Sequence, residues 1–391
     1  MTQIFAALAA GGAAVAGQYL GMEKADTAKR TGNHLIVLLI ALSLGIATLL
    51  YALNFPILHG LFGKVEKDVM DAATKYYLIV MASIPAIALY NGGTAMFRAM
   101  GRTDMTLKIA TLMNIINVGG NALLIFGFNM KVEGVAIPTL ASRWIAAGVI
   151  IGLLMNKKYF LNLREHLKFK YDKVIMKNIV RLGIPSGIEN GMFQFGKIAL
   201  YSFVSTLGTA SITAHAIAGN IISFHTLTGF AINLGITTVV SQCVGAGKFE
   251  MAKKYYRKFM LWTHIGNFAT AILMTSLLPL IMAIYDVSPE ATRYASIILF
   301  MHATSGFILW PVSFVTPAFL RSTGDATFTM IVGALSMWIF RVGAGILIAN
   351  VFDIGIIGVW VAHTVVDWLV RGICFFIRYK SGKWKTKAIK A

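Results

Sequence analysis

The stretch that decides the fold is residues 156–201, NKKYFLNLREHLKFKYDKVIMKNIVRLGIPSGIENGMFQFGKIALY. Its first part, residues 156–181, is polar and carries eight Lys or Arg against two acids. Its second part, residues 182–201, is an apolar helical run that holds one acid and one lysine. A basic segment between apolar spans stays on the cytoplasmic side of a membrane. This stretch therefore predicts a membrane protein whose orientation is set from the middle of the chain.

The composition also indicates a membrane protein. The chain has 391 residues, of which 57% are hydrophobic and only 13% are charged, whereas soluble domains are about 25% charged. Apolar stretches of roughly 20 residues, the length of a membrane helix, recur along it. The net charge of +19 lies in short clusters between these stretches, which fits membrane topology better than nucleic-acid binding. We therefore expect the lipid bilayer, and no nucleic acid, among its partners.

Hydropathy predicts ten full membrane spans and one partial span. The partial span is residues 1–19, which are apolar but short. The full spans are residues 34–53, 76–97, 107–128, 134–155, 182–206, 213–240, 259–283, 295–320, 328–350 and 356–377.

The basic residues predict the orientation of these spans. When segment 156–181 is placed inside, the segments on its side hold 26 Lys or Arg, against 5 on the other side. This is the asymmetry that the positive-inside rule describes. We therefore expect a multi-pass protein of the plasma (inner) membrane, with the central linker and the C-terminus in the cytoplasm.

An internal repeat predicts two similar halves. The motif AGQYLGMEKADTAKR (16–30) resembles VSQCVGAGKFEMAKK (240–254), and FRAMGRTD (97–104) resembles FLRSTGDA (319–326). A full unit of six spans is an even number, so the two halves run in the same direction through the membrane. Such parallel repeats place a binding site at their interface.

The predicted fold is therefore an all-α membrane protein with two pseudo-symmetric six-helix lobes. The first lobe lacks its first helix and part of its second by comparison with the other, which leaves about four and a half transmembrane helices. We expect one of two causes for the incomplete lobe: a start position that is assigned too late in the chain, or a truncated product. The predicted division is an N-terminal lobe (1–155), a basic linker (156–181), a C-terminal lobe (182–378) and a basic tail (379–391).

The leading candidate for ion coupling is Glu189, seven residues into its span and four after Pro185. A carboxylate inside a span is costly and could alternate between a neutral and a charged form, as a proton-coupled step requires. The alternative is a structural carboxylate paired with a buried amide or cation. Lys197 lies about 12 Å further along the helix axis, too far for a direct pair. It could line a cavity or extend towards the membrane surface.

Two asparagines form a second candidate group. Asn117 and Asn121 are four residues apart, so they share one helix face. Their amide oxygens could help to bind a cation or a protonated group. The alternative is interhelical hydrogen bonding, which is common in membrane bundles.

Charged residues in other spans complete the candidate set. Asp367 and Arg371 are four residues apart in the last span and are predicted to be a structural ion pair. Arg143 and Arg341 are isolated in the middle of their spans, so we expect them to face a polar interior. The predicted lining of a substrate cavity comprises Asn190, Gln194, Lys197, Arg143 and Arg341.

Taken together, the sequence resembles the multidrug and toxic compound extrusion (MATE) family of transporters over essentially its whole length. The resemblance implies a twelve-helix fold with two six-helix lobes and a cleft between them. It implies efflux of mostly cationic, amphiphilic compounds in exchange for H⁺ or Na⁺. The motifs that carry it are GQYLG (17–21) with SQCVGAG (241–247), FRAMGRTD with LRSTGD (320–325), LGIPSGIENGMFQFGK (182–197) and GTASITAHAIAGN (208–220).

The family's functional residues carry over in part. An Asn and an Asp of the fifth helix in some members correspond to Asn117 and Asn121, so an amide replaces the acid here. Thr139 resembles the hydroxyl of the sixth helix that belongs to the same cluster. Glu189 is similar to the acid that many members carry in the seventh helix. The family's first-helix acid lies outside this sequence, and its tenth-helix acid has no counterpart within 295–320.

The leading hypothesis is a secondary antiporter that acts as a monomer by alternating access of its two lobes. It would need no cofactor beyond H⁺ or Na⁺ as the coupling ion. One alternative is a flippase of related fold for a lipid-linked saccharide, and another is a non-functional truncated transporter. An enzyme is not expected, because no clustered nucleophile or His/Asp/Glu pattern is present in the sequence.

Overall fold

The computed structural model describes residues 2–62, 66–164 and 170–389, and for residues 61 and 62 it describes only the backbone. Over these ranges it consists of helices and their connections, which confirms the predicted all-α class. The chain divides into two compact units, Met1–Gly183 and Ile184–Ala391. The first unit therefore includes the predicted linker 156–181. Linker residues 165–169 and tail residues 390–391 lie outside the described residues.

The first unit holds seven helices within the described ranges, together with the start of an eighth. A π-helical turn, Leu123–Gly127, extends the sixth. The helices are α1 (Thr2–Gly21), α2 (Ala25–Ala52), α3 (Asn54–Phe62), α4 (Lys67–Met81), α5 (Ile84–Ala99), α6 (Thr103–Ala122) and α7 (Glu133–Leu154), and the eighth is α8 (Lys173–Ser205).

Helix α1 lies at the centre of the first unit. It packs against α2 and α5, and α5 packs in turn against α7. A Cβ atom on Gly11 would lie 2.7 Å from the backbone nitrogen of Gly183, so only glycine allows this approach of α1 to α8. Residues 1–19 were predicted as a partial span, but α1 is long and apolar enough to cross a membrane. Its small residues explain its burial, because they let neighbouring backbones come close.

Within its described residues, 184–389, the second unit holds the rest of α8 and ten further helices. Two π-helical stretches, Ser336–Gly343 and Ala362–Asp367, join consecutive helices near its centre. The helices are α9 (Thr209–His225), α10 (Leu227–Gly245), α11 (Phe249–Ser276), α12 (Leu278–Tyr285), α13 (Pro289–Ile308), α14 (Trp310–Ser322), α15 (Ala326–Leu335), α16 (Ala344–Val351), α17 (Gly355–Val361) and α18 (Trp368–Lys380).

Three pairs of consecutive helices are sharply bent. The angles are 41° between α4 and α5, 54° between α11 and α12, and 48° between α13 and α14. In each pair a proline stands in the first turn of the second helix: Pro85, Pro279 and Pro311. Proline lacks a backbone N–H and so is tolerated where a helix begins, but it breaks a helix that would continue through it.

The membrane character is confirmed by helix length. Of the described residues, seven helices are long and apolar enough to cross a membrane, or ten if each bent pair counts as one span. Predicted span 213–240 consists of two helices, α9 and α10, which meet at Thr226. Predicted span 182–206 lies in α8, which is not among those helices. The polar side chains on α8, Glu189 and Lys197 among them, lower its hydropathy.

The end of the linker is fastened to α2 within the first unit. The Asp172 carboxylate accepts a hydrogen bond from Nη2 of Arg30 at 3.0 Å, and the Asp172 backbone N–H donates to Nε2 of His34 at 2.8 Å. The other carboxylate oxygen accepts from the N–H groups of Val174 and Ile175. Asp172 therefore caps α8 and holds its first turn against α2.

Asp172→Asn is expected to lower the free energy of unfolding at pH 7 by about 0.5–1 kcal/mol, because asparagine keeps the capping oxygen but loses the negative charge that faces Arg30 and the helix N-terminus. Burial alone would raise the pKa of the Asp172 carboxyl, but the N–H donors of Ile175 and Val174, with Arg30 and His34, hold that pKa below its ordinary value of 3.8. A carboxyl group whose pKa is lowered by folding stabilises the protein at pH values above its ordinary pKa. That stabilisation is lost as the pH falls through the pKa of the folded state. Thermal unfolding of the purified protein should therefore show the difference narrowing as the pH is lowered from 5 towards 3.

Asp71→Asn is the matched control for this substitution, because Asp71 is an exposed acid of the same unit. It should leave the unfolding temperature unchanged at every pH. Equal unfolding temperatures for Asp172→Asn and the parent at pH 7 would contradict the stabilising role of the carboxylate charge.

The predicted tail is part of the second unit's core. Residues Lys383–Lys387 form a 3₁₀ turn, and Trp384 is 0% exposed. Its ring lies 4.9 Å from that of Phe319 and 5.9 Å from that of Phe249, measured between centroids. The indole Nε1 donates a hydrogen bond to the carbonyl of Tyr379 at 2.9 Å. The tail therefore closes one end of the helix bundle.

The repeated motif supplies the surface on which the tail packs. Gly324 has a φ of +104°, and a Cβ atom there would collide with the carbonyl oxygen of Lys387, so both the turn and the tail require glycine. The next residue, Asp325, is 3% exposed and accepts from Nε of Arg378 at 2.7 Å. This ion pair joins the start of α15 to the end of α18.

Candidate functional site

The first candidate residue, Glu189, lies on α8 in a buried ion pair. Its residue exposure is 8%, and Nη1 of Arg321 donates to its two carboxylate oxygens at 3.2 and 3.3 Å. A paired carboxylate was the alternative that the sequence left open. Arg321 was not predicted as a partner, because the sequence places it in a cytoplasmic segment after the span that ends at residue 320. In the structure α14 continues to Ser322, so this arginine is still helical.

A glycine on a third helix makes room for this pair. A Cβ atom on Gly333 would lie 2.9 Å from Oε1 of Glu189. Helix α15 therefore approaches the carboxylate closely, and no larger residue fits without displacing it. The Glu189–Arg321 pair is thus enclosed by α8, α14 and α15.

The prediction that Asp367 pairs with Arg371 is wrong, because the hydrogen-bonded partner of Asp367 is Arg341. Asp367 is 0% exposed and accepts a 2.9 Å hydrogen bond from Nε of Arg341. It also accepts from Nη2 of Arg341 and from the hydroxyl of Ser336. Asp367 and Arg341 lie on the two π-helical stretches, which pack against each other. The carboxylate therefore points across to the neighbouring helix and not along its own helix towards Arg371.

Arg371 is buried without such a partner. It is 2% exposed, and its guanidinium carbon lies 4.2 Å from the ring centroid of Phe314 and 5.1 Å from that of Phe193. Within the described residues, its Nε and Nη2 atoms make no hydrogen bond. Sequence reasoning assigned this arginine to an ion pair and so missed its available donors.

Six ionisable residues of the second unit belong to one group, which we call the C-terminal charge cluster. The charges of Arg321, Arg341 and both carboxylates act on Arg371, and that of Arg341 acts on Lys197. Four cations against two carboxylates leave a formal excess of two positive charges. The cluster comprises Glu189, Lys197, Arg321, Arg341, Asp367 and Arg371.

The other predicted lining residues of α8 lie at the edge of this cluster. Lys197 and Gln194 are exposed, and Asn190 is half-buried. On the opposite side of the cluster, Arg341 is 3% exposed. The cluster therefore runs from exposed side chains on α8 and α14 to fully buried ones on the π-helical stretches and α18.

In the first unit, the structure brings the predicted polar group together. Nδ2 of Asn117 donates to the hydroxyl of Thr139 at 3.0 Å, and Nδ2 of Asn121 lies 3.5 Å from Oδ1 of Asn117. Oδ1 of Asn121 is buried and unpartnered among the described residues. Arg143, one turn after Thr139 on α7, donates to the hydroxyl of Ser83 at 2.7 Å.

A family model and several known proteins match most of this chain. The family model described as MatE matches residues 1–123 and 185–347. The chain is 27% identical over 398 residues to the uncharacterized transporter YisQ of Bacillus subtilis, covering 99% of this chain and 85% of the relative. It is 23% identical over 337 residues to a probable multidrug resistance protein NorM of Thermotoga maritima, covering 85% of this chain and 72% of the relative.

Solved structures show the same fold. A multidrug resistance MATE family transporter of the MOP superfamily, in an outward-facing conformation, superposes with a TM-score of 0.90 at 18% identity, over 98% of this chain and 85% of that chain. A MOP superfamily transporter from Pyrococcus furiosus, described as having a binding pocket of reverse polarity that suggests a different function, gives 0.89 at 18% identity, with 98% and 85% coverage. These likenesses confirm the predicted fold class.

Proposed function

Because the chain belongs to the MatE family of membrane transporters, we propose that it is a secondary active exporter of small amphiphilic drugs or metabolites, driven by H⁺ or Na⁺. Relatives described as probable multidrug resistance proteins support the substrate size and the direction of transport. The resemblance in sequence implies cationic substrates. The charge of the substrate is a separate question, because the C-terminal charge cluster has a positive excess.

The observation that carries this proposal is the ion pair between the buried Glu189 and the half-buried Arg321. An ion can drive a conformational cycle only if its affinity differs between the two states. Arg321 supplies such a difference, because it competes with H⁺ or Na⁺ for the same carboxylate. In a state where the two helices keep the pair together, the ion is excluded. In a state where the pair separates, Glu189 binds the ion.

We also propose the orientation that the sequence predicts, with the linker and the C-terminus in the cytoplasm. The protein would lie in the plasma membrane as a monomer. The distribution of basic residues, 26 against 5, supports this orientation. The burial of Trp384 against the helix ends supports a C-terminal segment that stays on one side of the membrane.

Glu189→Gln is expected to reduce proton-driven efflux at least about tenfold, which corresponds to about 1.4 kcal/mol of lost coupling. The amide keeps the size of the side chain but binds neither H⁺ nor Arg321 as a carboxylate does. The measurement is dye efflux from membrane vesicles under an imposed pH gradient, repeated with a Na⁺ gradient to identify the ion. Glu290→Gln, at an exposed acid of the same unit, is the control. Undiminished gradient-driven efflux in Glu189→Gln would refute the coupling role.

A flippase for a lipid-linked saccharide is the second candidate. It is favoured by Lys197, Arg341 and Arg371, because three cations in one unit suit a pyrophosphate group better than a cationic drug. The reversed polarity described for the Pyrococcus furiosus transporter is a precedent for such a difference within this fold. A reporter cysteine at the exposed position 194, in a chain whose Cys243 and Cys374 are replaced by serine, would be protected by the lipid-linked saccharide and not by a cationic dye.

A further inference from the structure

We propose that the C-terminal charge cluster contains an anion-binding subsite centred on Arg371, which takes the phosphate or carboxylate group of an amphiphilic substrate. The inference names the charge of the substrate and so rests on the proposed transport function. It follows from the hydrogen-bond donors of one arginine, from the charge balance around it and from the exposure of its neighbours.

The donors come first. Nε and Nη2 of Arg371 form one edge of its guanidinium, and both are buried and unpartnered among the described residues. Arg341 uses the same edge to hold one oxygen of the Asp367 carboxylate with two hydrogen bonds. The same edge can also bind the two oxygens of a carboxylate or phosphate in a bidentate way. Arg371 therefore presents the same pair of donors that its neighbour uses on a carboxylate.

The charge balance points to the same ligand. Glu189 is held by Arg321, and Asp367 is held by Arg341. The two carboxylates of the cluster are thus each engaged by another arginine, and among the described residues Arg371 has no hydrogen-bonded counter-ion. A charge at 2% exposure that is compensated only from a distance is costly. A ligand anion would supply the missing partner and neutralise part of the excess of two positive charges.

The ring contacts of Arg371 fix the orientation of this fork. The guanidinium lies over the Phe314 and Phe193 rings at 4.2 and 5.1 Å. Contact with ring faces stabilises the cation without using its in-plane donors. The apolar rings also provide a surface for the hydrocarbon part of an amphiphile, next to the donors that hold its head group.

Two other cations of the cluster are more exposed than Arg371. Lys197 is exposed, and the Arg321 side chain is 32% exposed. The cluster therefore has accessible positive charge at its edge as well as the buried donors of Arg371. Binding at Arg371 would also place a negative charge close to Arg321, where it competes with Glu189 for that arginine. Substrate and coupling ion would then act on the same pair.

The experiment measures binding without any ion gradient. The full-length chain is placed in nanodiscs of phosphatidylcholine and titrated calorimetrically with octyl phosphate and with octyltrimethylammonium, which share one tail. We expect octyl phosphate to bind at least about tenfold more tightly, the worth of one charge-assisted hydrogen bond. We expect Arg371→Lys, which keeps the charge but not the fork, to lose about tenfold in affinity. Arg293→Gln, which removes an exposed cation of the same unit, should bind as the parent does.

Two further arms identify the source of the anion. Competition by inorganic phosphate would show that the head group alone suffices. Loss of octyl phosphate binding in nanodiscs with phosphatidylglycerol would show that a bilayer lipid fills the subsite. Either result supports an anion subsite. Equal affinity of the parent for the two amphiphiles would overturn the proposal even if the variants failed to fold, and so would unchanged affinity in folded Arg371→Lys.

The binding experiment and the transport experiment can each contradict one proposal without contradicting the other. A chain that prefers octyl phosphate but shows no gradient-driven efflux would refute the transport proposal and leave the subsite intact. A chain that exports dyes under a gradient but binds both amphiphiles equally would refute only the subsite.

Discussion

Asp367→Ala is expected to lower the free energy of unfolding by about 3–5 kcal/mol, the cost of breaking a buried ion pair on one side. The Asp367 carboxylate is 0% exposed, and the Arg341 side chain that it holds is 4% exposed. Without the carboxylate, the guanidinium of Arg341 keeps its charge in a place that water does not reach. The hydroxyl of Ser336 also loses its acceptor. The measurement is the temperature at which the purified, detergent-solubilised protein loses its monodisperse chromatographic peak.

A second variant separates this cause from simple loss of packing. Asp367→Ala/Arg341→Met removes both charges and should recover most of the lost stability, because the penalty comes from the unpaired cation. Glu290→Ala, at an exposed acid, should unfold as the parent does. The explanation would be wrong if the double variant were as unstable as Asp367→Ala, or if Asp367→Ala itself were as stable as the parent.

Trp384→Ala is expected to destabilise the second unit by about 3–5 kcal/mol, the usual cost of removing a buried large aromatic side chain. The indole is 0% exposed and packs in the cluster that contains Phe319, Trp368 and Phe375. Its removal leaves a cavity between the tail and the helix ends, and it frees the carbonyl of Tyr379. The same chromatographic measurement of thermal stability checks this result.

Lys383→Ala is the matched control for the tail, because Lys383 is exposed in the same 3₁₀ turn. It should leave stability unchanged. If Trp384→Ala were no less stable than Lys383→Ala, the tail would not be part of the core.

The elements that the sequence predicted correctly are those whose causes are local. Apolar runs near membrane length predicted the spans, because helix formation in a bilayer depends on the hydropathy of consecutive residues. The bend before Pro85 was predictable for a similar reason, since proline acts on the turn in which it stands. Asn117 and Asn121 were placed on one face by their spacing alone, and the structure brings them together with Thr139.

The pairing of charges in the second unit was not predictable in this way. Glu189 has its partner 132 residues away on α14, and the sequence offers no measure of which basic residue faces it. For Asp367, spacing indicated Arg371, but a π-helical stretch and its neighbour determine the direction of the side chain. The tail was predicted as a basic cytoplasmic segment because of its lysines, although one tryptophan within it is buried.

By itself, the amino-acid sequence determined that this chain is a helical membrane protein and which polar residues lie within its helices. These properties follow from hydropathy and residue spacing, which act over a few residues. Only the tertiary structure decided which charges meet, because ion pairs such as Arg341 with Asp367 depend on the packing of helices far apart in the chain. In a low-dielectric interior that choice decides which charge lacks a hydrogen-bonded counter-ion, and among the residues that the structure describes Arg371 is such a charge.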